Sequence, residues 1–260
     1  MLPRCFHPAP AALLLCVLSS AIAQGCSPGA RTPDIRVAAA TNIKPALELI
    51  ETTFEVETGL SVSVTYGATG KLTAQILAGA PFDVFLAADD ARPNLLEQRG
   101  IVVDGTLKPY AEGGLMVWLP KAEQAPVSLA AALADPSVRH IAIANPDLAP
   151  YGLAAKDALA NIGLADTVEA KLVFGENIGQ AFALVASGNA DAGFIAASQS
   201  GRASQTGQLI AIDRDLHSPI LQSGVVLERA TDNADVLLFH AFIYSAPSHA
   251  ILASHGYGVP

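Results

Sequence analysis

The sequence predicts an α/β protein of two lobes, each a mostly parallel sheet flanked by helices, with a hinge of crossing strands between them. Three observations carry that expectation. Short apolar runs of strand character alternate with helical stretches, which is the pattern of βαβ units. The alternation runs twice, before and after a long extended region around 113–119. Neither run is long enough by itself to account for a chain of 260 residues.

The elements follow in order. Ile35–Ala40 is an apolar run expected as the first strand, followed by a helical pattern over 43–58 that Gly59 closes. A strand over 61–66 precedes a helix over 71–78 stopped by Gly79. A strand over 82–87 precedes a helix over 93–99 stopped by Gly100. Leu115–Leu119 reads as a strand ended by Pro120. The second run comprises a helix over Leu129–Ala134, a strand over 140–144, a helix over 153–162, a strand over 171–174, a helix over 180–186 and a strand over Ala192–Ala196. Segments 207–212 and 218–227 read as extended. Thr231 is placed to cap a helix reaching Tyr244, and Pro247 opens a last helix that Gly256 closes. The stretches 113–119 and 218–226 are the candidates for strands crossing between lobes. The first lobe is then expected over 31–112, the second over 113–219, and a return to the first over 220–260.

Residues 1–23 stand apart from this pattern. A basic start at Arg4, the apolar stretch APAALLLCVLSSAIA and an Ala21-Ile22-Ala23 end describe a cleavable secretory signal. The stretch is too short to span a bilayer. All three cysteines, Cys5, Cys16 and Cys26, precede residue 27, so the exported fold is expected to hold no disulfide and no cysteine site. Cys26 in Ala23-Gln24-Gly25-Cys26 leaves a lipid anchor as an alternative to simple export. Either way the domain is expected in the periplasm.

Hydrophobic residues make up 51% of the chain and charged ones 15%, with a formal net charge of −9. That composition excludes a disordered chain and a nucleic-acid binder working through a basic field. By bulk electrostatics such a protein repels anions, yet the loops point the other way. Ala38-Ala39-Ala40-Thr41-Asn42, Tyr66-Gly67-Ala68-Thr69-Gly70, the NPDLAPYG stretch from Asn145 to Gly152, and Gly175-Glu176-Asn177-Ile178-Gly179 each follow a predicted strand and precede a predicted helix. A helix N-terminus offers unpaired N–H donors and a partial positive charge, so it favours an anion without Lys or Arg. Thr41 and Thr69 add hydroxyl donors and Asn42 an amide donor. The plain alternative is that Thr41 and Thr69 are ordinary helix N-caps.

Competing motifs fail on inspection. Gly67-Ala68-Thr69-Gly70-Lys71-Leu72 lacks the phosphate-loop glycine, since position 65 is Thr65, and Leu72 stands where Ser or Thr is required. His7 falls in the signal, and His240, His249 and His255 sit near the C-terminal helices without metal-ligand spacing. Asp89 and Asp90 read as caps of the following helix rather than an acid–base pair. No catalytic constellation is visible, so the chain is not expected to be an enzyme.

At these residues the chain resembles the bacterial periplasmic molybdate-binding proteins, the capture component of a molybdate importer. The markers are VAAATNIKPALELIETTFEVETG, YGATGKLTAQILAGAPFDVFLAADDARP, NPDLAPYGLAAKDAL and FGENIGQAFALVASGNADAGFIAAS, and the resemblance extends over about residues 35–258. The resemblance implies a type II periplasmic binding-protein fold whose cleft closes on one tetrahedral oxyanion. It places the ligand set on Thr41, Asn42 and Thr69 through side chains, and on Tyr151 and Ile178 through backbone N–H groups. Molybdate or tungstate is implied as the ligand, with no cofactor and no direct protein ligand to the metal. The implied partners are the membrane permease and ATPase of an ABC importer, with the chain a monomer that binds no nucleic acid. Some members carry a Tyr donor where this chain has Ala196, and Asn42 is expected to take its place.

Selectivity follows from the donors. Molybdate and tungstate carry no proton near neutral pH and suit a donor-only pocket, whereas hydrogen phosphate wants an acceptor. Glu176, if it enters the cleft, weakens this distinction. Sulfate, the alternative ligand, differs only in size. An enzyme or an interaction module on the same scaffold remains a formal rival. Trp118, near a predicted hinge strand, is a candidate fluorescence reporter of closure.

Overall fold

A computed structural model describes residues 34–124, 128–203 and 206–259. The signal segment, with Cys5, Cys16, Cys26 and His7, lies outside the described residues. The elements run β1 (Ile35–Ala40), α1 (Lys44–Thr58), β2 (Val62–Gly67), α2 (Thr69–Leu77), β3 (Val84–Leu86), α3 (Ala91–Gln98), β4 (Lys108–Gly113), β5 (Leu115–Leu119), α4 (Leu129–Ala134), β6 (Ile141–Ala144), α5 (Pro150–Asn161), α6 (Ala165–Val168), β7 (Leu172–Gly175), α7 (Ile178–Ala186), β8 (Ala192–Ala196), α8 (Ser200–Ala203), β9 (Gln208–Ala211), β10 (Ile220–Val226), α9 (Ala234–Ile243) and α10 (Ala246–Ser254).

The strands form two five-stranded sheets, in the orders β2-β1-β3-β10-β4 and β7-β6-β8-β5-β9. Each is mixed. Three strands are parallel in each, and β10 with β4, or β5 with β9, add antiparallel neighbours. The mostly parallel sheet expected from sequence is therefore parallel only in its βα half. Nor do single strands cross between the sheets. β4 and β5 part at Gly114, each staying in its own sheet, and the chain returns between β9 and β10. β4 was not expected, because Lys108, Pro109 and Glu112 give it no apolar run. It is an edge strand, and its pairing with β10 slips at Gln222/Ser223, beside Pro109. An edge position with a bulge tolerates a residue lacking N–H.

Burial explains the layering. α1 buries Ala46, Leu47, Ile50 and Phe54 at helical spacing, and the Phe54 ring meets Phe239 and Phe242 edge-on at 5.0 and 5.4 Å. In the second lobe, α7 buries Ile178, Ala181, Phe182 and Val185, and Phe182 stacks on Trp118 at 5.2 Å. Trp118 thus reports on α7 within one lobe, its indole N–H donating to Thr206 O at 2.9 Å. Asn233, not Thr231, caps α9, because a one-turn helix over Glu228–Ala230 occupies the chain before it.

Parallel pairing fixes the functional edge. Ala40 of β1 lies beside Gly67 of β2, and Ala144 of β6 beside Gly175 of β7. The carboxyl ends of four strands, each followed by a helical turn, are thereby held at one edge of each sheet.

One half-buried acid away from that edge gives a stability prediction. Burial, together with Glu55 and Glu48, pushes Glu51 up to about 7, although the Tyr66 hydroxyl donates to it at 3.2 Å and Lys44 is near. The fold favours the protonated acid. Its contribution is complete below the unfolded value near 4.5 and is lost as pH rises toward 7. Glu51→Gln is expected to raise unfolding free energy at pH 8 by roughly 1–2 kcal/mol, allowing for half exposure, and to leave it unchanged at pH 4. Urea unfolding at the two pH values checks this.

Candidate functional site

A small, tight pocket lies where the two sets of strand ends face each other. The first lobe supplies Ala40, Thr41, Asn42, Gly67, Ala68, Thr69 and Ala88, and the second Ala149, Pro150, Tyr151, Asn177 and Ile178. All five residues singled out from the sequence (Thr41, Asn42, Thr69, Tyr151 and Ile178) are therefore brought together. Among the described residues, none lining the pocket carries a charge, and no His, Cys, Asp and Glu group is disposed to hold a metal ion.

The pocket wall is built from helix N-termini. Thr41 begins a single 3-10 turn leading into α1, Thr69 is the first residue of α2, Tyr151 lies in the first turn of α5, and Ile178 is the first residue of α7. Their N–H groups have no intrahelical acceptor by position. The capping positions are Ala40, Ala68 and Ala149, and none makes a side-chain cap. Only α7 has one, in which Asn177 accepts from Gln180 N–H at 3.0 Å. The plain reading of Thr41 and Thr69 as N-caps therefore fails. Three buried N-termini converge without the side-chain acceptor that normally satisfies them, which is the arrangement of an anion site.

The hydroxyls differ. Thr69 Oγ1 accepts from Ala88 N–H at 3.2 Å, so its own proton is left for the pocket. Thr41 Oγ1 instead donates to Gly67 O at 3.0 Å. Asn42 is 1% exposed, and its Nδ2 donates to Gln222 Oε1 at 2.8 Å and to Tyr257 Oη at 2.9 Å. Tyr151 is buried as well, and its phenol accepts from Gln222 Nε2 at 3.2 Å. Burial keeps the Tyr110 and Tyr151 phenols well above their ordinary range and pushes Tyr257 up to about 12, so all three are neutral donors and acceptors.

The two lobes meet around the pocket. Gly70 N–H donates to Leu148 O at 2.9 Å, Ser198 Oγ donates to Asn42 O at 2.7 Å, and Lys71 pairs with Glu176 at 2.8 Å. Glu176 is thus held at the rim by a lysine of the other lobe, and it does not line the pocket. Asp89 likewise stays outside, capping α3 through Arg92 N–H at 3.0 Å and pairing with the Arg92 guanidinium. Gly179, in the first turn of α7, sits so near the first lobe that a Cβ there would lie 2.5 Å from Thr41 Cγ2. Ala196 is buried in β8 and forms no part of the pocket wall.

Sequence reasoning missed the residues behind the wall, namely Gln222 on β10, Tyr110 on β4, Tyr257 and Ser198. The one signal was Gln222 itself, a polar residue in an otherwise strand-like run that proves fully buried.

Residues 35–258 match the family model described as bacterial extracellular solute-binding protein. The chain is 37% identical over 235 residues to a molybdate-binding protein of Azotobacter vinelandii, covering 88% of this chain and 92% of that one. It is 34% identical over 238 residues to one from Rhodobacter capsulatus, with 91% and 93% covered. The solved structure of the Azotobacter vinelandii periplasmic molybdate-binding protein superposes with a TM-score of 0.82 at 34% identity, over 87% of this chain and 99% of that one.

Proposed function

The chain belongs to the bacterial extracellular solute-binding proteins, in the group of the molybdate-binding proteins, and on that premise we propose that it captures molybdate, and tungstate as well, in the periplasm. It is a solute-binding protein and not an enzyme. The anion is held between the lobes by Thr69 Oγ, the Asn42 amide and the N–H groups of Thr41, Asn42, Thr69, Tyr151 and Ile178. The lobes hinge near Gly114 and close on it. The protein works as a monomer, exported by the segment 1–23, and hands its cargo to a permease driven by an ATPase. The lobe boundaries at 112/113 and 219/220 are the hinge points of this reading.

The observation that carries it is a pocket walled by four helix N-termini, three of them without a side-chain cap, and lacking any carboxylate. Such a wall is rich in backbone donors and holds no carboxylate to accept a proton, so it favours a fully deprotonated oxyanion over hydrogen phosphate. The acidic surface does not forbid this. Backbone donors act within a few ångströms in a low-dielectric cleft, whereas surface charges are screened over about 8–10 Å.

Titration calorimetry with molybdate, tungstate, sulfate and phosphate tests the proposal. Submicromolar binding of molybdate and tungstate is expected, with sulfate at least about 100-fold weaker and phosphate weaker still. Tighter binding of sulfate than of molybdate contradicts it.

A further inference from the structure

Behind the pocket, two amides and three phenols share one buried hydrogen-bond network. Asn42 Nδ2 faces Gln222 Oε1 and Tyr257 Oη, and Gln222 Nε2 faces Tyr151 Oη at 3.2 Å. Tyr110 Oη lies 3.0 Å from both Ala87 O and Gln222 Oε1. Two features of this arrangement are unbalanced. Tyr110 has one proton for two acceptors. Asn42 Oδ1 is buried without a hydrogen-bond partner among the described residues, on a residue that lines the pocket. With Nδ2 committed to Gln222 and Tyr257, Oδ1 is the end of the amide left for the pocket, and an acceptor there repels an oxyanion.

The two ends of an amide are nearly equal in size, so turning one over exchanges donor for acceptor at unchanged distances. Turning both amides together gives Asn42 Oδ1 a donor and Tyr110 a single acceptor, and moves the shared proton to Tyr257, which then faces both Asn42 O and Asn42 Oδ1. Asn42 Oδ1 then accepts from Gln222 Nε2, and Nε2 also donates to Tyr110, whose single proton goes to Ala87 O. The Tyr151 phenol donates to Gln222 Oε1. Tyr257 keeps Asn42 O as its acceptor at 2.9 Å. Asn42 Nδ2 now faces the pocket as a donor.

We propose that Gln222 is the positioning and specificity-determining residue of the site, turning with Asn42 so that the Asn42 amide presents its NH2 to a deprotonated oxyanion. This rests on the function proposed above. A Gln can serve both orientations, whereas a residue that only accepts holds Asn42 Nδ2 toward the hinge and leaves Oδ1 in the pocket. Oδ1 repels molybdate but accepts a hydrogen bond from a protonated anion.

Gln222→Glu supplies that residue. At pH 8 molybdate and hydrogen phosphate are both dianions, so the added negative charge weakens both alike and cancels in their ratio. Calorimetry is expected to show molybdate affinity falling about 100-fold, and the preference for molybdate over phosphate narrowing at least about tenfold. Parallel losses with an unchanged ratio overturn the proposal. Should Gln222→Glu fail to give a cooperative melt, neutron diffraction from wild-type crystals grown with molybdate in D2O decides. Deuterons on the Asn42 atom facing the anion and on the Gln222 atom facing Asn42 are expected, and a bare oxygen at either position overturns the proposal. Wild-type protein that takes up no molybdate contradicts the proposed function, and this inference with it. Molybdate binding with an unchanged ratio in Gln222→Glu contradicts this inference alone.

Discussion

Gly179→Val is expected to lower molybdate affinity by at least about 100-fold while leaving the melting temperature of the unliganded chain within about 2 °C of wild type. The reason is steric and local to the meeting of the lobes. A Cβ at Gly179 falls 2.5 Å from Thr41 Cγ2, closer than side-chain atoms approach. A β-branched side chain cannot turn both of its methyl groups away. Thr41 cannot retreat without breaking its bond to Gly67 O. Gly179 has an ordinary helical backbone rather than a left-handed one, and within its own lobe the nearest atom to such a Cβ is Asn177 Oδ1 at 3.2 Å, so the main clash falls between the lobes. What it removes is the approach of one lobe to the other. Calorimetry and thermal unfolding of the same sample separate the two effects, and a parallel fall in both contradicts this reading.

Thr69→Val, which keeps the shape and deletes the hydroxyl, is expected to weaken molybdate binding about 10- to 100-fold, the range for one hydrogen bond to a charged group. The Thr69 oxygen already accepts from Ala88 N–H, which directs its proton away from the protein and into the pocket. Thr41→Val is expected to cost less, because the Thr41 proton is engaged by Gly67 O. Equal losses at the two positions would mean that Thr41 turns its hydroxyl to the anion on binding. The loss of the Ala88 partner also destabilises Thr69→Val by about 1–3 kcal/mol, visible in urea unfolding.

The elements legible in the sequence were those whose burial is periodic or continuous. β1, β6 and β8 are apolar runs, and α1 and α7 repeat their buried residues at helical spacing. The βα edge was legible for the same reason, since a loop between a strand and a following helix must lie at the strand's carboxyl end. This is why the four loops could be placed at one edge and Thr41, Asn42 and Thr69 named as donors, whereas Tyr151 and Ile178 came from the resemblance to the molybdate-binding proteins. Elements without such a signal were hidden. β4 is a charged edge strand containing Pro109, and α6 and α8 are single turns of four residues. Side-chain direction was hidden as well. Glu176 turns to the rim because Lys71, 105 residues earlier, meets it there. Gln222 and Tyr257 meet Asn42 across separations of 180 and 215 residues, which no local pattern encodes. The residues on the pocket wall are thus a local property of the chain, and those that orient them belong to the fold.

Anomalous diffraction at the molybdenum edge, from crystals grown with molybdate, tests ligand and site in one measurement. A single strong peak is expected in the pocket between the lobes, its oxygens within hydrogen-bond distance of Thr69 Oγ and of the N–H groups of Tyr151 and Ile178. A peak elsewhere, or none at saturating molybdate, would contradict the assignment.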